Sequence, residues 1–170
     1  MKTRRALVAL APLVLAMTAM ASGTHTGDHN DDAIGKPGEA SRVSRTIVMN
    51  MTDTMRFSVP KVFARQGETI RFVVKNSGKV RHEMVLGTTQ ELKEHYEVMK
   101  KNPEMEHADA NMVTVAPGKT GEIIWHFNKA GKVDFACLQP GHYDAGMKGF
   151  VAVAGGASSA KQGGHDDHKH

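Results

Sequence analysis

Seven short runs dominate the chain between residues 42 and 154: TIVMNM, ETIRFVVKN, VRHEMVLG, NMVTVAP, GEIIWHFN, GKVDFACL and KGFVAVA. In each, apolar and polar residues tend to alternate, the period of a strand with one buried face. Turn formers separate them, as in Asn76-Ser77-Gly78, Pro117-Gly118 and Ala130-Gly131. Short, evenly punctuated strands restrict the fold to an antiparallel sandwich or a Greek-key barrel.

One segment breaks the period. In TTQELKEHYEVMKKNP, Thr88 and Glu91 have capping-box spacing, and Leu92, Tyr96 and Met99 fall on one helical face. Lys100 and Lys101, followed by Pro103, end the helix. The expectation is all-β with one inserted α-helix.

The flanks differ in composition. Lys2, Arg4 and Arg5 precede an apolar run from Ala6 to Met17, and Ala19 and Ala21 follow as small residues before a cleavage point. Residues 1–21 therefore read as a signal peptide, too short for a membrane span, so the chain is expected in the periplasm with no membrane association after cleavage. Residues 22–41 and 155–170 are rich in Gly, Asp and His and read as flexible arms around one domain, 42–154. Removing the leader leaves 19 basic against 18 acidic residues, so the charge is near zero. No basic patch interleaved with aromatics supports a nucleic-acid role.

Export implies an oxidising compartment, yet the chain has a single cysteine. It must be a free thiol, an intermolecular link or a metal ligand. Strand parity narrows the choice. In KVDFACL, Cys137 shares its face with Val133 and Phe135; Met147 has the parity of Val151 and Val153. In VRHEMVL, His82 has the parity of Val80, Met84 and Leu86, leaving Arg81 and Glu83 outside. If the segment from Cys137 to Met147 joins two strands, His142 lies on the loop between them, and His82 approaches from a neighbouring strand. Two imidazoles, a thiolate and a thioether form the ligand set of a mononuclear copper electron-transfer site, whereas thioether suits zinc poorly.

The motif Cys137-Leu-Gln-Pro-Gly-His142-Tyr-Asp-Ala-Gly-Met147 with upstream His82 resembles the type 1 copper loop of the cupredoxins. The wider run HEMVLGTTQELKEHYEVMKKNPEMEH, with VAPGKTGEIIWHF and CLQPGHYDAGMKG, is similar to exported copper-tolerance cupredoxins of Gram-negative bacteria, the CopI type. The resemblance implies a Greek-key β-sandwich or barrel holding one copper on His82, Cys137, His142 and Met147. It departs from many cupredoxins in one respect: Glu83, rather than Asn or Ser, follows the first ligand histidine.

Further sulfur and imidazole groups would offer secondary copper sites: Met49, Met51 and Met55 in one patch, Met99, Met105 and His107 beside Glu106 in another. Packing is the alternative for each. His25, His29, His165, His168 and His170 would capture metal loosely, and His126 reads as a surface or structural histidine.

Two functions share the site. One is a copper-tolerance protein that binds or buffers copper, with redox-active metal. The alternative is a soluble electron shuttle of a respiratory or photosynthetic chain, meeting its partner at the exposed edge of His142. An enzyme of the multicopper type is not expected, because there is no second domain-length segment and only one cysteine.

Overall fold

The computed structural model describes residues 31–105 and 108–156. The expected leader, His25, His29, Glu106, His107 and the tail histidines lie outside the described residues. The chain begins with a single helical turn, α1 (Asp31–Ile34), a two-residue strand β1 (Lys36–Pro37) and a 3-10 turn (Ala40–Arg42). Strands β2 (Arg45–Thr52), β3 (Arg56–Phe57), β4 (Lys61–Arg65), β5 (Glu68–Asn76) and β6 (His82–Gly87) follow. Helix α2 (Thr89–Lys101) comes next, then β7 (Met112–Val115), β8 (Thr120–Phe127), β9 (Gly131–Ala136) and β10 (Lys148–Ala154).

Ten strands form two five-stranded sheets, ordered β1-β8-β5-β2-β3 and β4-β10-β9-β6-β7. The chain crosses repeatedly from one sheet to the other, as a Greek-key sandwich requires. Alternate residues then meet in the middle: Ile70, Phe72 and Val74 of β5 and Ile123, Trp125 and Phe127 of β8 face Met84, Leu86, Val133, Phe135 and Val151. Phe57 and Phe135 meet edge to face across the layers, with ring centroids 5.1 Å apart.

Not every pairing is antiparallel. Strand β2 runs parallel to β5, and β4 parallel to β10. After β2 and β3 the chain visits the second sheet as β4 before returning as β5, so β5 enters beside β2 in the same direction. Alternation reports which face is buried and carries no information on the neighbour's direction.

Part of the segment 22–41, expected as a flexible arm, packs on the first sheet. Ile34 is buried, the Trp125 indole N–H donates to its carbonyl at 2.8 Å, and β1 pairs with β8. Gly35 makes this approach possible: its φ is +107°, and a Cβ there would lie 2.3 Å from the His126 carbonyl oxygen. A buried indole needs an acceptor, and this segment supplies it.

Helix α2 covers part of the outer face of the second sheet. Thr88 accepts from the Glu91 amide and the Glu91 carboxyl from the Thr88 amide, completing the expected capping box. Leu92, Tyr96 and Met99 pack on Val85, Met112, Ala136 and Leu138. Every residue of β6 is consequently buried. Parity alone puts Glu83 outside; the residue is on that face and yet only 1% exposed. Val80, counted among the inward residues, precedes the strand and is exposed.

Candidate metal centre

Cys137 stands immediately after β9, and Met147 immediately before β10. The strands pair antiparallel in a register that places Lys148 opposite Ala136, so the two loop ends are adjacent. The Cys137 amide donates to the Met147 carbonyl at 3.0 Å. Between them the backbone folds on itself: the His142 amide donates to the Gln139 carbonyl and the Met147 amide to the His142 carbonyl. Gly141 and Gly146, at φ +83° and +92°, provide the two left-handed turns this closure needs. Strand β6 pairs with β9 and carries His82 to the same end of the sandwich.

His82, Cys137 and His142 converge, with ligand atoms all within 4.8 Å of one another. The Nδ1 atoms of the two histidines are 3.2 Å apart, and His142 Nδ1 lies 3.2 Å from Cys137 Sγ. Cys137, His82 and Met147 are buried, while His142 is half-buried at the surface of the loop. Two imidazole nitrogens and a thiol sulfur facing one another, with a buried thioether residue beside the cysteine, are chemically suited to copper.

Each group has a second contact. The other ring nitrogen of His82, Nε2, meets Asp53 Oδ1 at 3.1 Å, which leaves Nδ1 for the site. Asp53 sits in the turn between β2 and β3, where Met55 adopts φ +58°. The Lys79 amide holds the Asp53 carboxyl below its usual range, and the hydrogen bonds from His82 and Val80 add to this against desolvation. Cys137 Sγ accepts from the Glu83 amide at 3.4 Å. Burial pushes its thiol up to about 12, despite the amide contacts from Glu83 and Gln139. Burial and then the neighbouring His82 lower His142.

The Glu83 carboxyl accepts from the Leu138 amide at 2.9 Å, from Gln139 Nε2 at 3.0 Å and from Thr114 Oγ1 at 3.4 Å. It thereby fastens the segment just after Cys137, while its own backbone reaches the sulfur. The side chain reaches this segment from the outer, buried face of β6. Tyr96 of α2 fastens the other side of the loop. Its hydroxyl accepts from the Gly141 amide at 2.9 Å and donates to Asp144 Oδ2 at 2.8 Å.

Sequence reasoning missed Asp53 and the clamping role of Tyr96. Asp53 carries no local signal, because it reaches His82 from 29 residues away across the two sheets. Tyr96 was recognisable only as a helix-face residue. Of the other methionines, Met49 and Met51 lie in the core between the sheets, Met55 packs against it, and Met99 is buried beneath α2. They form packing surface and no solvent-facing cluster; Met105 alone among these is exposed. His126 Nδ1 meets Thr69 Oγ1 at 2.9 Å, a structural role.

The sequence model for copper binding proteins of the plastocyanin/azurin family matches residues 43–154. A copper-resistant cuproprotein CopI of Rubrivivax gelatinosus is 48% identical over 159 residues, covering 88% of this chain and 96% of the relative. Its namesake in Vibrio cholerae is 37% identical and covers 67% of this chain and 68% of that one. Among solved structures, dithionite-reduced auracyanin of the photosynthetic bacterium Roseiflexus castenholzii superposes with a TM-score of 0.56 at 23% identity, over 66% of this chain and 98% of the other.

Proposed function

This chain belongs to the plastocyanin/azurin family of copper-binding proteins, as a cupredoxin of the CopI type, and from that premise we propose that it is a periplasmic copper-tolerance protein holding one type 1 copper. The observation that carries the reading is the convergence of His82 Nδ1, His142 Nδ1 and Cys137 Sγ at one end of the sandwich, with Met147 closing the loop. His82, Cys137 and His142 would be the strong ligands and Met147 the weak one. When bound, copper would supply one-electron cycling between Cu(II) and Cu(I).

The chain's own residues set the terms. Asp53 orients His82, the Glu83 amide caps the sulfur, and Tyr96 holds the loop on which His142 rides. Because burial raises the Cys137 thiol, its proton must leave for the sulfur to ligate, so uptake weakens as pH falls. In keeping with the copper-binding family, we assign a binding and electron-transfer role, with no catalysis. Residues 1–21 would direct export; among the described residues no helix is long and apolar enough to cross a membrane.

Adding Cu(II) to the purified protein should produce an intense visible charge-transfer band with one copper per chain. Cys137→Ser should abolish the band; retained colour refutes the ligand assignment. A second reading, a soluble electron shuttle, is favoured by the half-buried His142, whose outer edge is available to a redox partner. Deleting the gene and challenging cells with copper separates the two, since a shuttle predicts unchanged tolerance with a respiratory or photosynthetic defect.

A further inference from the structure

The two sheets treat their outer faces differently. On the first, Arg71 lies 3.7 Å from Glu122, while Lys36 and Lys75 have neither a carboxylate within ion-pair distance nor an aromatic ring beneath them among the described residues. On the second, the part left uncovered by α2 carries Lys61, Phe63 and Arg65 of β4, Lys148 and Phe150 of β10, and Lys132 and Asp134 of β9. Strand pairing sets Phe150 beside Lys61 and Asp134. Asp134 is the single acid of this face, and it is taken up by Lys132 at 2.9 Å and by Thr89. Lys61 and Lys148 have no carboxylate within ion-pair distance among the described residues; they lie instead over aromatic rings, Lys61 over Phe63 and Phe150, Lys148 over Tyr143 at 4.0 Å. Phe63 is 64% exposed.

Toward the loop this face deepens into a concavity of about 440 Å³ between α2 and β10, with Leu92, Phe135, Tyr143 and Phe150 in its walls and Lys93, Lys132 and Lys148 at its edge. Tyr143 directly follows His142. Cations set over aromatic rings beside an apolar hollow present both the charge and the apolar area of a docking surface.

We propose that this face receives an acidic partner protein, one that seats an apolar side chain in the concavity and sets carboxylates against Lys61, Lys93, Lys132 and Lys148. The hollow shape favours a protein over a bilayer, which would meet the rim and leave the concavity unfilled. The inference goes beyond the copper reading and stands on the metal-free surface, so it fails or holds separately from it.

The test is an NMR titration of the full mature chain, metal-free and copper-loaded, with the synthetic peptide Glu-Glu-Phe-Glu-Glu at low ionic strength. Amide shifts should gather at 61–65, 132–135, 143 and 148–150 and fade with added salt. The triple variant Lys61→Gln, Lys132→Gln, Lys148→Gln should weaken binding about tenfold. Lys36→Gln, Lys75→Gln, Lys119→Gln, which removes the same charge from the first sheet and its border, should change it less than about twofold. Scattered shifts, equal weakening by both triples, or cosedimentation with phosphatidylglycerol vesicles without peptide binding would each overturn the proposal. Copper binding with normal colour alongside any of these would leave the metal reading standing.

Discussion

Between the sheets, Phe72 and Phe127 meet edge to face with their rings buried in an apolar cluster, whereas beneath α2 the Tyr96 ring packs in the cluster of Leu138 and Val85 while its hydroxyl reaches out to the loop that carries His142. The first cluster is mainly apolar, with Asn76 buried at its edge and His82 and Cys137 at its end. The second buries polar groups along with apolar ones, Glu83 and Gln139 among them. This contrast assigns them different work: the inter-sheet core fixes where β6, β9 and β10 lie, and the helix cluster fixes the segment after Cys137 and the loop that follows. The placement of His82, Cys137, His142 and Met147 thus depends on both, through different forces.

The core side is the more sensitive of the two. Phe72→Ala removes a fully buried ring from the centre of the sandwich, and the expected loss is about 3–5 kcal/mol in urea unfolding. Both clusters should unfold in the same transition, because the second sheet cannot keep its place without the first. A transition in which the α2 signal outlives the sheet signal would show that the two clusters are not stacked in this order.

Next in size is Glu83→Ala. It strips the Leu138 amide and Gln139 of their acceptor in a buried setting, for about 2–3 kcal/mol. Unlike the core substitution, it should also displace the charge-transfer band of the copper-loaded protein, since the Leu138 segment positions the sulfur. Glu83→Gln retains one acceptor oxygen and should fall between the variant and the parent in both readouts. A stability loss with an unmoved band would reduce Glu83 to packing.

How much of this was legible in the sequence follows the same division. Parity placed His82, Cys137 and Met147 on the inner face because strand alternation reports a core that lies between two layers. It put Glu83 on the right face but missed its burial, because Leu138, Gln139 and Thr114 close over the carboxyl, and alternation along β6 cannot register a cover supplied by segments downstream. The capping box and the Leu92, Tyr96, Met99 stripe are local patterns and were readable. Strand direction, the Asp53 contact and the packed segment from residue 31 depend on pairing between distant parts of the chain, for which a single sequence carries no code. The Ile34 side chain in its polar surroundings was the one hint of the last.

Tyr96→Phe is a smaller change, confined to the helix cluster. The ring stays, so the apolar packing of the helix cluster is kept, but the Gly141 amide loses its acceptor and Asp144 its donor. The expected cost is about 1–2 kcal/mol. Hydrogen exchange should accelerate at Gly141 and His142 while Phe72 and Trp125 keep their protection, and the copper potential should shift as His142 gains freedom. Equal acceleration in the core strands would mean that Tyr96 supports the whole fold and has no particular hold on the loop.

The smallest effect is also the most discriminating. Thr88→Ala removes the side-chain acceptor of the Glu91 amide, 3.2 Å away, and so breaks one half of the capping box, for about 1 kcal/mol. The residue touches neither the metal loop nor the inter-sheet core. If α2 and the cluster beneath it open as their own cooperative unit, exchange should quicken at Glu91 and Leu92, then at Gly141 through Tyr96, with β5 and β8 unchanged. That gradient would make the helix a local clamp whose loosening reaches the His142 loop through Tyr96, by its hydroxyl on the Gly141 amide and its ring beside Tyr143. Uniform acceleration across β5, β8 and α2 would instead merge the two clusters into a single unit, and the loop would then owe its order to global stability alone.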